Sequence, residues 1–141
     1  MISAHRMVAC ILTLASVTGG MAACASAAKT TIPAPPANAS PGHVARVYLR
    51  AAVAGDCDLT SELTLPHTWS WCSDPKLLAY RSVGRPQFDP ASDAGRNEEC
   101  IYFAMDTNGS SDDTIPSGWA PWGLCLAKTH AGWRLYDQGQ A

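Results

Sequence analysis

The sequence predicts an α+β domain, with helices first and an antiparallel sheet packed against them. Three observations predict it. Val44, Val47, Tyr48 and Ala51 recur at the i, i+3, i+4, i+7 spacing of an amphipathic helix. The last third of the chain instead reads as strands, at Cys100–Asp106, Trp119–Lys128 and Trp133–Gln138. Between Cys57 and Cys125 lie four cysteines, an even number that in an exported chain points to disulfides.

Export is predicted by the first residues. Arg6 and the amino terminus supply positive charge, Met7 to Val17 is a short apolar run, and Thr18 to Ala23 is rich in small residues. This is the pattern of a secretory signal, and the run is too short to span a bilayer. Met21-Ala22-Ala23-Cys24 resembles a bacterial lipobox. That resemblance implies cleavage after residue 23 and lipid on the Cys24 thiol. The rival expectation is plain secretion, with cleavage after Ala25 or Ala27. Residues 24–42 are rich in Ala and Pro, with Pro33, Pro35 and Pro36, and read as a disordered, extended tether. The expected organisation is therefore signal peptide 1–23, lipidated cysteine and tether 24–42, and one folded domain 43–141.

Composition narrows the function classes. The 141 residues carry a formal net charge of -2 and only 16% charged residues, which excludes the basic footprint of a nucleic-acid binder. No C-x-x-C pair occurs, and His43, His67 and His130 stand at no ligand spacing, so no metal is expected. No cofactor motif is present: G-x-S-x-G, the P-loop and H-E-x-x-H are all missing.

The domain elements follow in order. Ser40 is placed to cap the first helix, Pro41 suits its first turn and Gly55 stops it. Asp56 or Asp58 caps a short second helix bearing Leu59 and Leu63, ended by Pro66. His67 to Ser73 reads as a loop. Asp74-Pro75 is expected to start a third short helix with Leu77, Leu78 and Tyr80. Ser82 to Phe88 reads as an edge strand because of Pro86, and 89–98 as a polar loop.

A parity argument fixes the last third. If Cys100 faces Cys125 in an antiparallel hairpin, Ile101 faces Leu124 and Phe103 faces Trp122. Those four apolar side chains then share one face, and the two cysteines meet on the other. One register explains both patterns, so Cys100 is expected to bond Cys125, leaving Cys57 for Cys72. Continuing the core through Leu126 sets it opposite Leu135, with Thr129 to Gly132 as a four-residue loop. Arg134 and Tyr136 then face away from the core.

Several segments together carry a resemblance. Ala54-Gly55-Asp56-Cys57, Trp71-Cys72-Ser73-Asp74-Pro75, Val83-Gly84-Arg85-Pro86, Glu99-Cys100, Gly109-Ser110-Ser111-Asp112, Gly132-Trp133-Arg134 and Gln138-Gly139-Gln140 look like those of uncharacterised actinobacterial secreted lipoproteins. The resemblance covers 43–141. It implies a cone-shaped, cystatin-like domain of the nuclear transport factor 2 and ketosteroid isomerase superfamily. It implies no one activity, since that superfold hosts enzymes, ligand binders and dimerisation modules.

No catalytic residue is assigned. Asp106, Asp137, Tyr102 and Tyr136 lie on strands but match no catalytic segment. His67 reads as an exposed loop residue, and Ser111-Asp112-Asp113 as a solvated hairpin tip. The aromatic residues are the better candidates: Trp122 is expected inside, while Trp69, Trp71, Trp119 and Trp133 are a possible binding surface. The expected function is a lipid-anchored lipoprotein on the extracytoplasmic face of the plasma membrane. It would bind an unknown protein or small-molecule ligand there, without catalysis. The alternative is an isomerase- or hydrolase-like enzyme using the cone pocket.

Overall fold

A computed structural model describes residues 31–72, 74–88 and 98–141. The expected signal peptide, Cys24, Ser73 and the loop 89–97 lie outside the described residues. The architecture is two helices and a five-stranded, open antiparallel sheet. Among the described residues no helix is long and apolar enough to cross a membrane.

Helix α1 spans Pro41–Ala54. Ser40 caps it as expected, its Oγ accepting from the His43 N–H, and Gly55 closes it in the left-handed conformation. Val44, Val47, Tyr48 and Ala51 are all buried, and so are Ala45, Leu49 and Ala52. The buried stripe is thus wider than the predicted one, because the helix packs against the second helix as well as the sheet. Helix α2 spans Cys57–Glu62 and is capped by Asp56, whose carboxylate accepts from the Leu59 N–H.

The expected third helix does not form. Leu77–Arg81 is strand β1, and the Asp74–Pro75 bond before it is cis. Leu77 is buried and Leu78 exposed, the alternation of a strand. The backbone of Leu77–Arg81 pairs with residues 104–107. That partner is distant in the chain, so the local sequence could not reveal it. The expected edge strand at 82–88 shrinks to β2, Gln87–Phe88. Ser82 stands at φ 56° and Pro86 lacks an N–H, so the ladder is interrupted between β1 and β2. The two run in succession along one edge of the next strand, with the Gly84 N–H donating to the Tyr102 carbonyl between them.

Strands β3 (Glu98–Asn108), β4 (Ser117–Thr129) and β5 (Gly132–Gly139) form the meander. The sheet order is β1-β3-β4-β5. Cys100 pairs with Cys125, Ile101 with Leu124 and Phe103 with Trp122, the register the parity argument requires. Leu126 faces Leu135 as expected. The predicted four-residue loop is tighter, because Thr129 and Gly132 pair and leave His130-Ala131 as the turn. A register shift between Cys125 and Leu126 inserts one extra β5 residue, Tyr136, so the ladder continues as Cys125 with Asp137.

The helices cover one face of the sheet. Ile101, Phe103, Met105, Trp122, Leu124, Leu126, Trp133 and Leu135 meet Val44, Val47, Tyr48, Leu49, Leu59, Leu63 and Trp71 there. The far edge of β5 is covered too: the Leu65 N–H donates to the Leu135 carbonyl, and the Leu135 N–H to the Leu63 carbonyl. Glu98, expected in the polar loop, opens β3 and is fully buried.

The expected tether also differs. Thr31 to Ser40 has no helix or strand, yet Ile32 and Ala39 pack on the core. Lys128 Nζ donates to the Ala37 carbonyl at 3.2 Å. The chain from Thr31 on therefore belongs with the domain.

Candidate functional site

Strand pairing sorts the sheet into an inner face under the helices and an outer face. The outer face reads in cross-strand rows: Glu98 with Ala127, Cys100 with Cys125, Tyr102 with Gly123, Ala104 with Pro121, Asp106 with Trp119. Strand β1 adds Arg81 beside Ala104 and Ala79 beside Asp106. The Cys100–Cys125 Cα atoms stand 4.0 Å apart, as in pairs that do not exchange backbone hydrogen bonds. Every row of the same parity is of this kind. The imino nitrogen of Pro121 accordingly turns away from β3. It lies beyond Gly123, where the pairing with β5 stops, so a proline interrupts no ladder there.

This face carries a groove of about 590 Å³ lined by Arg81, Ser82, Tyr102, Ala104, Trp119 and Pro121 among others. The row Arg81–Ala104–Pro121 is its floor. Tyr102 and Trp119 rise on either side, 43% and 47% exposed. Their rows are four residues apart along β3, roughly 13 Å at the rise of a strand. Tyr102 lies against Gly123: a Cβ there would stand 3.1 Å from the Tyr102 ring. The missing side chain lets the ring lie down over β4. The Arg81 guanidinium stacks on Trp119, 4.1 Å from the ring centre. Among the described residues lining the groove, Arg81 is the only charged one.

The inner face is filled. Trp71 is fully buried, set edge-to-face against Trp69 at 4.8 Å and Trp122 at 6.0 Å. The Trp71 backbone N–H donates to Tyr48 Oη at 2.9 Å, and Trp122 Nε1 donates to Gln138 Oε1. Gln138 Nε2 in turn donates to the Trp69 carbonyl at 2.6 Å. Burial, more than its hydrogen bonds offset, raises the Tyr48 phenol above its usual value. Trp71 Nε1 is buried with no hydrogen-bond partner among the described residues.

The expected Trp set therefore divides. Trp71 and Trp133 are core residues, at 0% and 9% exposure, and present no surface; Trp69 and Trp119 reach solvent on different parts of the molecule. Trp133 is expected from the sequence to be partly exposed, but its register opposite Lys128 puts it on the helix side with Leu135. Both cysteine pairs stand at disulfide geometry, Cys57 with Cys72 and Cys100 with Cys125. His67 is an exposed turn residue at φ 70°. Asp137 is exposed, Asp106 lies beside Trp119 on the outer face, and Tyr136 donates to Glu98 Oε2 at 2.8 Å. These four chemistry-bearing residues do not converge.

At the hairpin tip, Asp112 accepts from Ser110 Oγ, and from both Thr114 Oγ1 and N–H. Those bonds, Ser110 first, hold its carboxyl down to about 2. Ser111 Oγ donates to Asp74 at 2.7 Å. The tip is hydrogen-bonded to itself and to the loop before β1. Among the described residues no cluster of His, Cys, Asp or Glu is placed to hold a metal ion.

No protein-family model matches the chain, and no curated protein or solved structure matches it. The site therefore stands on its own geometry. Two of its members are not in the expected binding surface. Arg81 has no role in the sequence pattern, because its place depends on a strand that local sequence does not reveal. Tyr102 belongs to the aromatic residues of the sequence, and its even position beside Cys100 places it on the outer face.

Proposed function

We propose that this protein is a non-enzymatic binding module, held by a lipid on Cys24 at the extracytoplasmic face of a bacterial membrane. Its outer sheet face takes a small ligand or a protein partner. One observation carries the reading: the helix-covered side of the sheet is filled by Trp71, Tyr48, Trp122 and Phe103, while Tyr102 and Trp119 stand exposed about an open groove. Exposed aromatic side chains flanking a cation are the composition of binding surfaces. In this reading the helices and curved sheet make a cystatin-like cone whose interior is structural.

The surface is tested in the native cell. A photo-cross-linking residue replaces Ala104 in one strain and Val53, on the opposite side of the fold, in another. Adducts on the full-length protein are then weighed by mass spectrometry. The reading requires an adduct at position 104 that is absent at 53. Equal adducts at both positions, or none at 104, would remove it.

A further inference from the structure

We infer that the outer-face groove is a site for a small aromatic anion, a flat ring carrying one carboxylate. The inference rests on the reading of that face as a binding surface and names its ligand. Size comes first: about 590 Å³ is within the range of pockets that hold small molecules. Shape follows from the rows. Ala104 and Pro121 present little side chain, so the floor is low and flat, and Tyr102 and Trp119 bound it at a spacing that admits one ring system. Ring faces attract a second ring in offset or edge-on contact.

Charge selects among ring compounds. Arg81 is the only charged residue among the described residues that line the groove. Its guanidinium lies over the Trp119 ring, and among the described residues no carboxylate forms an ion pair with it. The stack fixes the guanidinium plane at the groove while leaving its N–H edge able to meet a carboxylate in a two-pronged contact. Arg81 stands beside Ala104 in register and its guanidinium reaches to the Trp119 ring, so the cation lies at the Trp119 end of the groove, where a ring held between Tyr102 and Trp119 would present a substituent.

The test uses the full-length chain purified from its native host and three probes with one ring system: indole-3-acetate, indole-3-acetamide and tryptamine. Binding is read by calorimetry. The site predicts that the acetate binds at least about tenfold tighter than the amide, with tryptamine weakest. Arg81→Gln should bring the acetate down to the level of the amide, and Arg81→Lys should retain part of the preference, since a lysine keeps the charge but not the planar fork. Tyr102→Ala and Trp119→Ala should weaken acetate and amide together. Circular dichroism on each variant separates loss of binding from loss of fold, and Phe88→Ala, exposed and outside the groove, should bind as the parent does. Equal affinity for the three probes, no binding by the parent at millimolar probe, or a charge preference that survives Arg81→Gln would overturn the inference. A protein adduct at position 104 alongside indifference to the probes would refute the ligand and leave the binding surface standing. Indifference with no adduct would refute both.

Discussion

Gly132 shows how a single hydrogen can hold two parts of the chain together. It stands at φ 107°, and a Cβ on it would lie 3.1 Å from the Ala37 backbone. Gly132→Ala therefore meets both an unfavourable backbone conformation and a collision with main chain that cannot swing aside. The expected loss is about 1–3 kcal/mol, read as a fall in the midpoint of urea unfolding. Gly123→Ala differs in kind. The atom it would crowd belongs to the exposed Tyr102 ring, which can move. Stability should change by less than about 1 kcal/mol while the ring lifts and the groove loses a wall. A large drop in stability for Gly123→Ala would mean that the ring is fixed in place.

Tyr48 is the residue where burial and ionisation meet. Its hydroxyl accepts the buried Trp71 N–H, so Tyr48→Phe strands that donor at a cost of about 1–3 kcal/mol. Its phenol is raised from 10.0 by burial. The unfolded chain loses this proton near pH 10 and the folded chain holds it. Stability from this group is thus full below pH 10 and falls as pH rises through the folded value. Unfolding followed from pH 8 to 11 should show a steeper decline in the parent than in Tyr48→Phe; parallel curves would remove the assignment. Asp112 works in the opposite direction. Its hydrogen bonds favour the ionised form, so they are present above pH 3.8 and are lost as pH falls toward 2. An NMR titration of its carboxyl should place the midpoint near the lower figure.

At the scale of elements, pairing rather than propensity decides what forms. The β3–β4 register was legible because alternation along both strands had to satisfy the core and the cysteines at once. Ile101, Phe103, Trp122 and Leu124 admit only one parity, and Cys100 then had a single opposite number. The first helix was legible because Ser40, Pro41 and Gly55 mark its ends locally. β1 was not. Leu77, Leu78 and Tyr80 fit a helical stripe as well as a strand, and the decision was made by the edge of β3, some 27 residues onward. Arg81 was hidden for the same reason, since no local pattern says that it will stand beside Ala104. The disulfides belong to this scale as well. With the ladder holding the strands in register, Cys100→Ala with Cys125→Ala should leave the sheet intact and remove about 2–4 kcal/mol, as for loops of similar length. Far-ultraviolet circular dichroism should be unchanged at 25 °C and the melting temperature lower. A lost β signal would show that the bridge, and not the ladder, sets the register.

For the whole molecule, the sheet divides the work: one face is covered by helices and the other carries the groove. A mutation on the inner face should therefore act on stability, and one on the groove on binding. The anchor proposed at Cys24 adds a prediction at this scale. Cys24→Ala should move the protein from the membrane fraction to the medium; unchanged membrane retention would remove the anchor.

The docked segment Thr31 to Ser40 also sets how far such a protein can roam. A free chain from Cys24 to Pro41 would reach at most about 60 Å, whereas the stretch from Cys24 to Thr31 reaches about 25 Å. A lipid anchor diffuses sideways, so what shrinks is the thickness of the layer an anchored domain explores, by about 2.4-fold, and its effective concentration toward neighbours in the same membrane rises by the same factor. A few contacts made by Ile32, Ala37 and Ala39 would thus strengthen every encounter at the membrane surface without adding an atom to the groove.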